Sequence, residues 1–221
     1  MPTITINNRS VSVPDDVSVL DAATANDVWI PTLCQHPSLS AYGACRLCLV
    51  EVTRRGRTKV TASCTLPVQE GLEIVTESER LTRLRRLVME LILASCPHSA
   101  AVLEMAERLG TSPGRLENDP ENDCIRCGLC VRACAELSRA HAIDFQNRGV
   151  ERTVGTPFGV ANPECVLCGA CTFVCPTGSR LLNLARIAGE EPEQLRARFD
   201  ADMAGRAAIH RPFPQALPNV P

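Results

Sequence analysis

Two runs of cysteine decide how this chain is read. The first is Cys124-Ile125-Arg126-Cys127-Gly128-Leu129-Cys130-Val131-Arg132-Ala133-Cys134. The second is Cys165-Val166-Leu167-Cys168-Gly169-Ala170-Cys171-Thr172-Phe173-Val174-Cys175-Pro176. Both have the spacing C-x2-C-x2-C-x3-C, which is the spacing of cubane [4Fe–4S] ligation. Three thiolates on one tight loop can cap three irons of a cube. The fourth cysteine, beginning the next helix, points away and ligates the cluster of the other run. The expected sets are therefore Cys124, Cys127, Cys130 and Cys175 on one cube, and Cys165, Cys168, Cys171 and Cys134 on the other. Gly128 and Gly169 lack Cβ, so backbone amides can approach the cluster sulfides there. Structural zinc would show two separated C-x2-4-C knuckles instead. Disulfides cannot be drawn pairwise through C-x2-C-x2-C without strain.

The rest of the composition agrees. A chain of 221 residues has room for one or two domains. Its thirteen cysteines are grouped at ligand spacings, which indicates metal binding in a reducing compartment rather than a disulfide framework. The first residues, MPTITINNRSVSV, carry no basic stretch followed by a long apolar run, and no segment is apolar for the length of a membrane span. The expectation is a soluble, cytoplasmic protein. A net charge of −2 gives no reason to propose nucleic-acid binding. Aromatics make up only 3%, so the protein core is aliphatic and small, and metal–thiolate bonds are expected to supply much of the folding free energy.

Outward from the two runs, the N-terminal part repeats the theme with another geometry. Thr3–Asn7 and Ser10–Val13 alternate apolar and polar residues around Asn7-Asn8-Arg9, which predicts a β-hairpin. Val17–Asn26 has helical spacing, with Asp15, Asp16 or Ser18 available as a cap. A loop follows that contains Cys34 and then Cys45-Arg46-Leu47-Cys48. Strands are predicted over 49–53, 58–63 and 72–75, and Cys64 stands at the end of the second. The pattern C-x10-C-x2-C-x15-C differs from the plant-type spacing but keeps its logic: three ligands on one loop and a fourth from a strand end. Strand pair, helix, cluster loop and strand pair is the order of a β-grasp [2Fe–2S] domain, with Cys34, Cys45, Cys48 and Cys64 as ligands.

Three stretches carry a resemblance: Ile30-Pro31-Thr32-Leu33-Cys34, Tyr42-Gly43-Ala44-Cys45-Arg46-Leu47-Cys48-Leu49-Val50-Glu51-Val52, and Ala62-Ser63-Cys64-Thr65. Through them residues 1–95 resemble a [2Fe–2S] domain shared by several redox subunits. These are the large iron–sulfur subunit of respiratory complex I, the small diaphorase subunit of NAD-linked [NiFe] hydrogenases, [FeFe] hydrogenases and NAD-dependent formate dehydrogenases. Residues 140–180 are similar to the two-cluster ferredoxin domain of the same families, through Ile143-Asp144-Phe145, Arg148-Gly149 and Gly155-Thr156-Pro157-Phe158-Gly159. The resemblance implies an α+β chain in four parts. These are a [2Fe–2S] domain over 1–78, a helical linker over 79–118, a two-[4Fe–4S] domain over 119–182, and a helical and Pro-rich tail over 183–221.

The chain departs from those relatives in the linker. Residues 77–95 form an amphipathic pattern through Leu81, Leu84, Leu87, Val88, Leu91 and Ile92, with Arg83, Arg85 and Arg86 on or near the wet side. After this helix the relatives carry a His-x3-Cys-x2-Cys-x5-Cys cluster site. Here Cys96-Pro97-His98 stands alone until Cys124, so that cluster is read as lost. Cys96 is then a buried structural thiol or a redox-active one, and His98 a cap, a loop residue or a ligand. Ser99–Leu109 predicts a further helix. Cys134 precedes Ala135, where a proline usually follows the fourth cysteine. Helices are predicted over 180–189 and 192–208. The segment 210–221 has four prolines and reads as an extended tail or as a docking arm on a partner. Its Pro212–Pro218 stretch looks like a segment of heterodisulfide-reductase A-type subunits, which hints at a flavin-containing partner.

Cluster ligands use twelve of the thirteen cysteines. No nucleotide fingerprint, P-loop or hydrolytic constellation is present. The expected function is electron relay through one [2Fe–2S] and two [4Fe–4S] clusters. It would run between a flavin/NAD(P)-binding diaphorase-type subunit and a catalytic subunit, namely a hydrogenase, a formate dehydrogenase or a heterodisulfide-reductase-like module. The competing reading is a redox-sensing or structural iron–sulfur interaction protein.

Overall fold

The structure, a computed structural model, describes residues 1–178 apart from 115, 117–118, 120–121, 123, 161 and 167. The helices expected over 180–189 and 192–208 and the tail over 210–221 lie outside the described residues.

A five-stranded mixed sheet forms the N-terminal part. Its strands are β1 (Thr3–Ile6), β2 (Arg9–Ser12), β3 (Leu49–Arg54), β4 (Arg57–Ala62) and β5 (Glu73–Val75), in the order β2-β1-β5-β3-β4. The alternation read from the sequence places Ile4 and Ile6 inward. Asn7 and Asn8 take left-handed φ of 47° and 66°, as a two-residue hairpin turn requires. Asn7 then pins the parallel β1–β5 junction: its Nδ2 donates to Thr76 Oγ1 at 2.7 Å, and Thr76 N donates to its Oδ1 at 2.9 Å.

Helix α1 (Val19–Thr24) lies across this sheet and buries Val19, Leu20, Ala22 and Ala23 against Ile4, Ile6, Val50 and Ile74. Of the three candidate caps, Ser18 fills the position. It accepts from Asp21 N at 3.1 Å, while Asp21 returns a bond to Ser18 N, a reciprocal box that satisfies two otherwise orphaned donors. Cys48 and Cys64 belong to the same core.

Helix α2 (Glu79–Ser95) starts at the cap Ser78 and is followed by α3 (Ala100–Arg108). Here the sequence expectation needs correction. The buried line of α2 runs Leu81, Arg85, Met89, Leu93, while Leu87 and Leu91 are exposed. Arg85 is therefore inside, not on the wet side. Steps of four residues keep one line of side chains over the same groove, and Arg85 reaches a buried backbone acceptor there. Each buried aliphatic side chain on this line is worth about 1.5–3 kcal/mol. Cys96 is buried at the end of α2, and His98 is exposed in the turn to α3.

The C-terminal part consists of two short helices, α4 (Leu129–Arg132) and α5 (Ala170–Phe173), and a small antiparallel pair, β6 (Asp144–Gln146) and β7 (Thr153–Gly155). The two cysteine runs differ in a way the missing proline explains. After α4 the chain continues helically through a wide π turn, Ala133–Leu137, with Cys134 inside it. After α5 it stops, and Cys175-Pro176 turns away. A proline after Cys134 would terminate the helix there; Ala135 does not. The expectation that the fourth cysteine opens a helix also needs correction. Each helix begins just after the loop glycine, before the third cysteine; Cys134 lies in the π-helical continuation of α4, and Cys175 lies beyond α5.

Sheet and helices together make an α+β fold. A second core joins the parts. It packs Met89, Leu93 and Cys96 from α2, and Val102 and Ala106 from α3, against Leu33, Cys34, Cys45 and Leu47 on one side and Cys127, Leu129 and Ala133 on the other.

Candidate metal centres

The four N-terminal cysteines come together. Cys34, Cys45, Cys48 and Cys64 are all buried and none forms a disulfide. They stand as two pairs. Cys45 N donates to Cys34 Sγ at 3.4 Å, and Cys48 Sγ lies 3.3 Å from Cys64 Sγ. The sharing of a proton within each pair splits the thiols. The hydrogen bond shared with Cys34 draws Cys45 down to about 6, and the one shared with Cys64 draws Cys48 down to about 6. Cys34 and Cys64 are pushed above the ordinary thiol range, first by the bonds within their pairs and then by burial. Two paired sets of thiols, with a ready thiolate in each, fit a two-iron cluster in which each iron takes two cysteines. Backbone N–H of Leu33 at 3.5 Å and the Thr32 hydroxyl at 3.9 Å further support charge on Cys45.

The first of the two C-terminal cysteine runs sits against this site. Cys127 and Cys130 are buried and Cys124 is half-buried. Cys127 is pushed up to about 12, chiefly by burial, and the thiols of Cys175, Cys124 and Cys45 add to the effect. Cys175 is thus a neighbour of the first run, and Cys45 reaches it from the N-terminal loop. In the second run Cys171 packs on the small core of Cys130, Cys134, Ala142 and Ile143, whereas Cys168 is half-buried and Cys165 exposed. Ala142 N donates to Cys134 Sγ at 3.2 Å, and Arg126 N to Cys124 Sγ at 3.4 Å. Such amide bonds are the kind that stabilise thiolate charge. Gly128 takes φ of 75°, and a Cβ there would lie 3.0 Å from Phe145 Cζ, so only glycine fits. Among the described residues no group of three His, Cys, Asp or Glu side chains is placed to share a single metal ion.

The seam between the two loops was not anticipated from sequence. Arg132 on α4 donates to the Cys34 carbonyl at 2.9 Å and to the Ser40 carbonyl, and its guanidinium lies 5.6 Å from the Tyr42 ring centroid. Tyr42 stacks on Phe145 at 6.2 Å, and Arg152 lies 3.5 Å over the other ring. Glu136 accepts from Ser40 N at 2.8 Å and Ser40 Oγ at 2.5 Å. These two bonds, and then the charge of Arg132, hold its carboxyl below the usual carboxylate range. Tyr42 and Phe145 stood in the motifs that carry the resemblance, but nothing in either stretch said that they touch.

A mixed sheet with four buried paired thiols, joined to a double-helix cysteine scaffold, defines an iron–sulfur protein of ferredoxin type. Comparison with known proteins agrees. Residues 1–79 match the "2Fe-2S iron-sulfur cluster binding domain" family, and residues 123–179 the "4Fe-4S dicluster domain" family. The chain is 33% identical over 205 residues to "NADPH-Fe(3+) oxidoreductase subunit alpha" of Geobacter sulfurreducens, covering 81% of this chain and 24% of that protein. It is 33% identical over 211 residues to "NADP-reducing hydrogenase subunit HndD" of Solidesulfovibrio fructosivorans, covering 81% and 36%. Among solved structures it is similar to a chain of an NAD+-reducing [NiFe]-hydrogenase in the H2-reduced state. The TM-score is 0.70 and the identity 30%, covering 80% of this chain and 86% of that one. The chain belongs to the iron–sulfur protein family that this hydrogenase chain represents. It spans 24% to 36% of the length of the curated relatives just described.

Proposed function

We propose that this chain is an electron-transfer subunit that holds one [2Fe–2S] cluster on Cys34, Cys45, Cys48 and Cys64 and two [4Fe–4S] clusters. One cube is assigned to Cys124, Cys127, Cys130 and Cys175, the other to Cys165, Cys168, Cys171 and Cys134. Bound clusters of this kind supply one-electron chemistry. The chain's own residues position, bury and hydrogen-bond them. The observation that carries the reading is the meeting of Cys45 and Cys127 in one buried core: clusters held by the two assigned sets would lie next to each other. The crossed assignment is supported by Cys175 acting on Cys127 and by Cys171 packing beside Cys134.

The division proposed is a [2Fe–2S] part over 1–78, a linker over 79–118 without a cluster, a dicluster part over 119–182 and a docking tail over 183–221. The partners proposed are a flavin/NAD(P)-binding diaphorase-type subunit and a catalytic redox subunit, in a reducing, cytoplasmic setting. No helix among the described residues is long and apolar enough to cross a membrane.

The test is iron quantification on anaerobically purified protein, followed by low-temperature EPR during stepwise reduction. The ligand sets call for about ten irons per chain, with one [2Fe–2S] signal and two mutually coupled [4Fe–4S] signals. Zinc in place of iron, or a [2Fe–2S] signal alone, overturns the relay.

A further inference from the structure

A guanidinium is expensive to bury, and Arg85 is only 5% exposed. Its Nη2 donates at 2.7 Å to the carbonyl of Leu49, the residue that follows Cys48. Its Nε finds no acceptor, and no carboxylate pairs with it, among the described residues. A charge taken out of water costs several kcal/mol unless an opposite charge answers it. Arginine cannot escape by losing its proton, because its guanidinium stays charged under ordinary conditions. Burial draws the group's pKa down, and two negative groups act in the opposite sense, Glu77 and the Cys48 thiolate. Glu77 is exposed, so water weakens its field. The answer on the dry side is the thiolate site.

We propose that Arg85 is the built-in counter-charge of the two-iron site, an electrostatic positioning residue that raises the reduction potential of a cluster held by Cys34, Cys45, Cys48 and Cys64. Four thiolates leave such a cluster negative, and each electron accepted adds one further negative charge with no bond made or broken. A fixed cation behind Cys48 opposes that build-up, and low surrounding polarity strengthens the effect. Net charge near the cluster is one of the recognised determinants of its potential. The hydrogen bond to Leu49 fixes where the cation sits. Helix α2 thus has a role besides packing: it carries the charge to the residue that follows Cys48.

The proposal rests on the two-iron assignment, so the test separates the two. Full-length protein is purified anaerobically as wild type, Arg85→Gln and Arg85→Lys, and titrated with dithionite while EPR follows each cluster. Absence of the [2Fe–2S] signal from the wild type would remove the assignment itself. With the signal present, Arg85→Gln is expected to lower the reduced-to-oxidised ratio at fixed ambient potential about tenfold, which is about 59 mV for one electron. Arg85→Lys restores most of it, and the [4Fe–4S] potentials stay put in both. If Arg85→Gln loads no two-iron cluster while Arg85→Lys does, the need for charge is again shown. If both variants load and keep the wild-type potential, the proposal fails. It fails equally if lysine and glutamine lower the potential or lose the cluster to the same extent, because shape and the Leu49 bond would then be what matters.

Discussion

The two ends of the described chain hold their cysteines by different means. Cys34, Cys45, Cys48 and Cys64 are buried to the last one, and Cys48 and Cys64 share their core with a five-stranded sheet and a capped helix. Of Cys165, Cys168, Cys171 and Cys175 none is buried, and α5 buries no residue at all. At the N-terminal end an aliphatic core shapes the metal site. At the other end the expected metal–thiolate bonds must shape the chain, in the manner of small metal-dependent domains. The difference teaches that ligand spacing alone does not say how far a site is preformed.

The largest effect expected from this difference follows removal of iron. Chelation under reducing, anaerobic conditions should leave slow amide exchange at Ile4, Ile6, Val50, Val52 and Ile74, all buried strand positions. Residues 162–178 should exchange at the rate of an unstructured chain. Hydrogen-exchange mass spectrometry reads both at once. Collapse of the sheet along with the dicluster part would break the comparison and make the N-terminal site as metal-dependent as the other. The apo form also offers a pH signature. Cys45 and Cys48, drawn down to about 6, keep their thiolates above that value and lose them as pH falls through it. Reconstitution of the two-iron site should therefore fall off below about pH 6, the value drawn from the same two groups.

A smaller effect belongs to the seam that ties the two regions. Tyr42→Ala removes a ring stacked on Phe145 and a face for Arg132, contacts worth about 1–2 kcal/mol together. Local opening of 34–45 and 126–152 should become roughly tenfold more frequent, since 1.4 kcal/mol is a factor of ten. Tyr42→Phe keeps the stack and loses only the exposed bond that Arg152 Nη2 donates to Tyr42 Oη at 3.1 Å, so it should change less. Glu136 works on the same seam with a definite pH sense. Its folded carboxyl is held below its usual value, so its contribution is whole above the ordinary carboxylate range and is lost as pH falls through the lowered one. Exchange that is unchanged in Tyr42→Ala would show that the second core alone holds the regions together.

What could be read in advance divides along the same line. The cysteine spacings announced a 2Fe-2S domain and a 4Fe-4S dicluster domain because each run of cysteines is a local pattern. The strands around Ile4, Val50 and Ile74 were legible because period-two alternation is local too. Arg85 was misplaced for a physical reason: on a helix where Leu87 and Leu91 face water, a single-sequence pattern puts the arginine outside. Only the tertiary partner, the Leu49 carbonyl, reverses that. The seam was hidden likewise, since Arg132 on a four-residue helix reads as a solvated charge until Ser40 and Cys34 are brought to it. The π turn at Ala133–Leu137 was half visible, because the missing proline after Cys134 signalled a change without saying which.

The smallest expected effect tests whether the two regions open separately. Ser18 Oγ accepts from Asp21 N at 3.1 Å and donates to Asp21 Oδ2 at 2.6 Å, at the start of the helix that closes the N-terminal core. Replacing it with alanine removes both bonds of its hydroxyl and leaves Asp21 N without its acceptor, while the backbone N–H of residue 18 can still donate to Asp21 Oδ2, a loss of about 1 kcal/mol for such a cap. With a urea dependence of about 1–3 kcal/mol per molar, the unfolding midpoint of the sheet should move down by roughly 0.3–1 M. The [4Fe–4S] EPR signals, which report on the other end of the chain, should bleach at the same urea concentration as in the wild type. If the cubane signals follow the sheet to the lower midpoint, the two regions unfold as one body. The buried α2–α3 core would then outweigh the difference in how each end holds its metal.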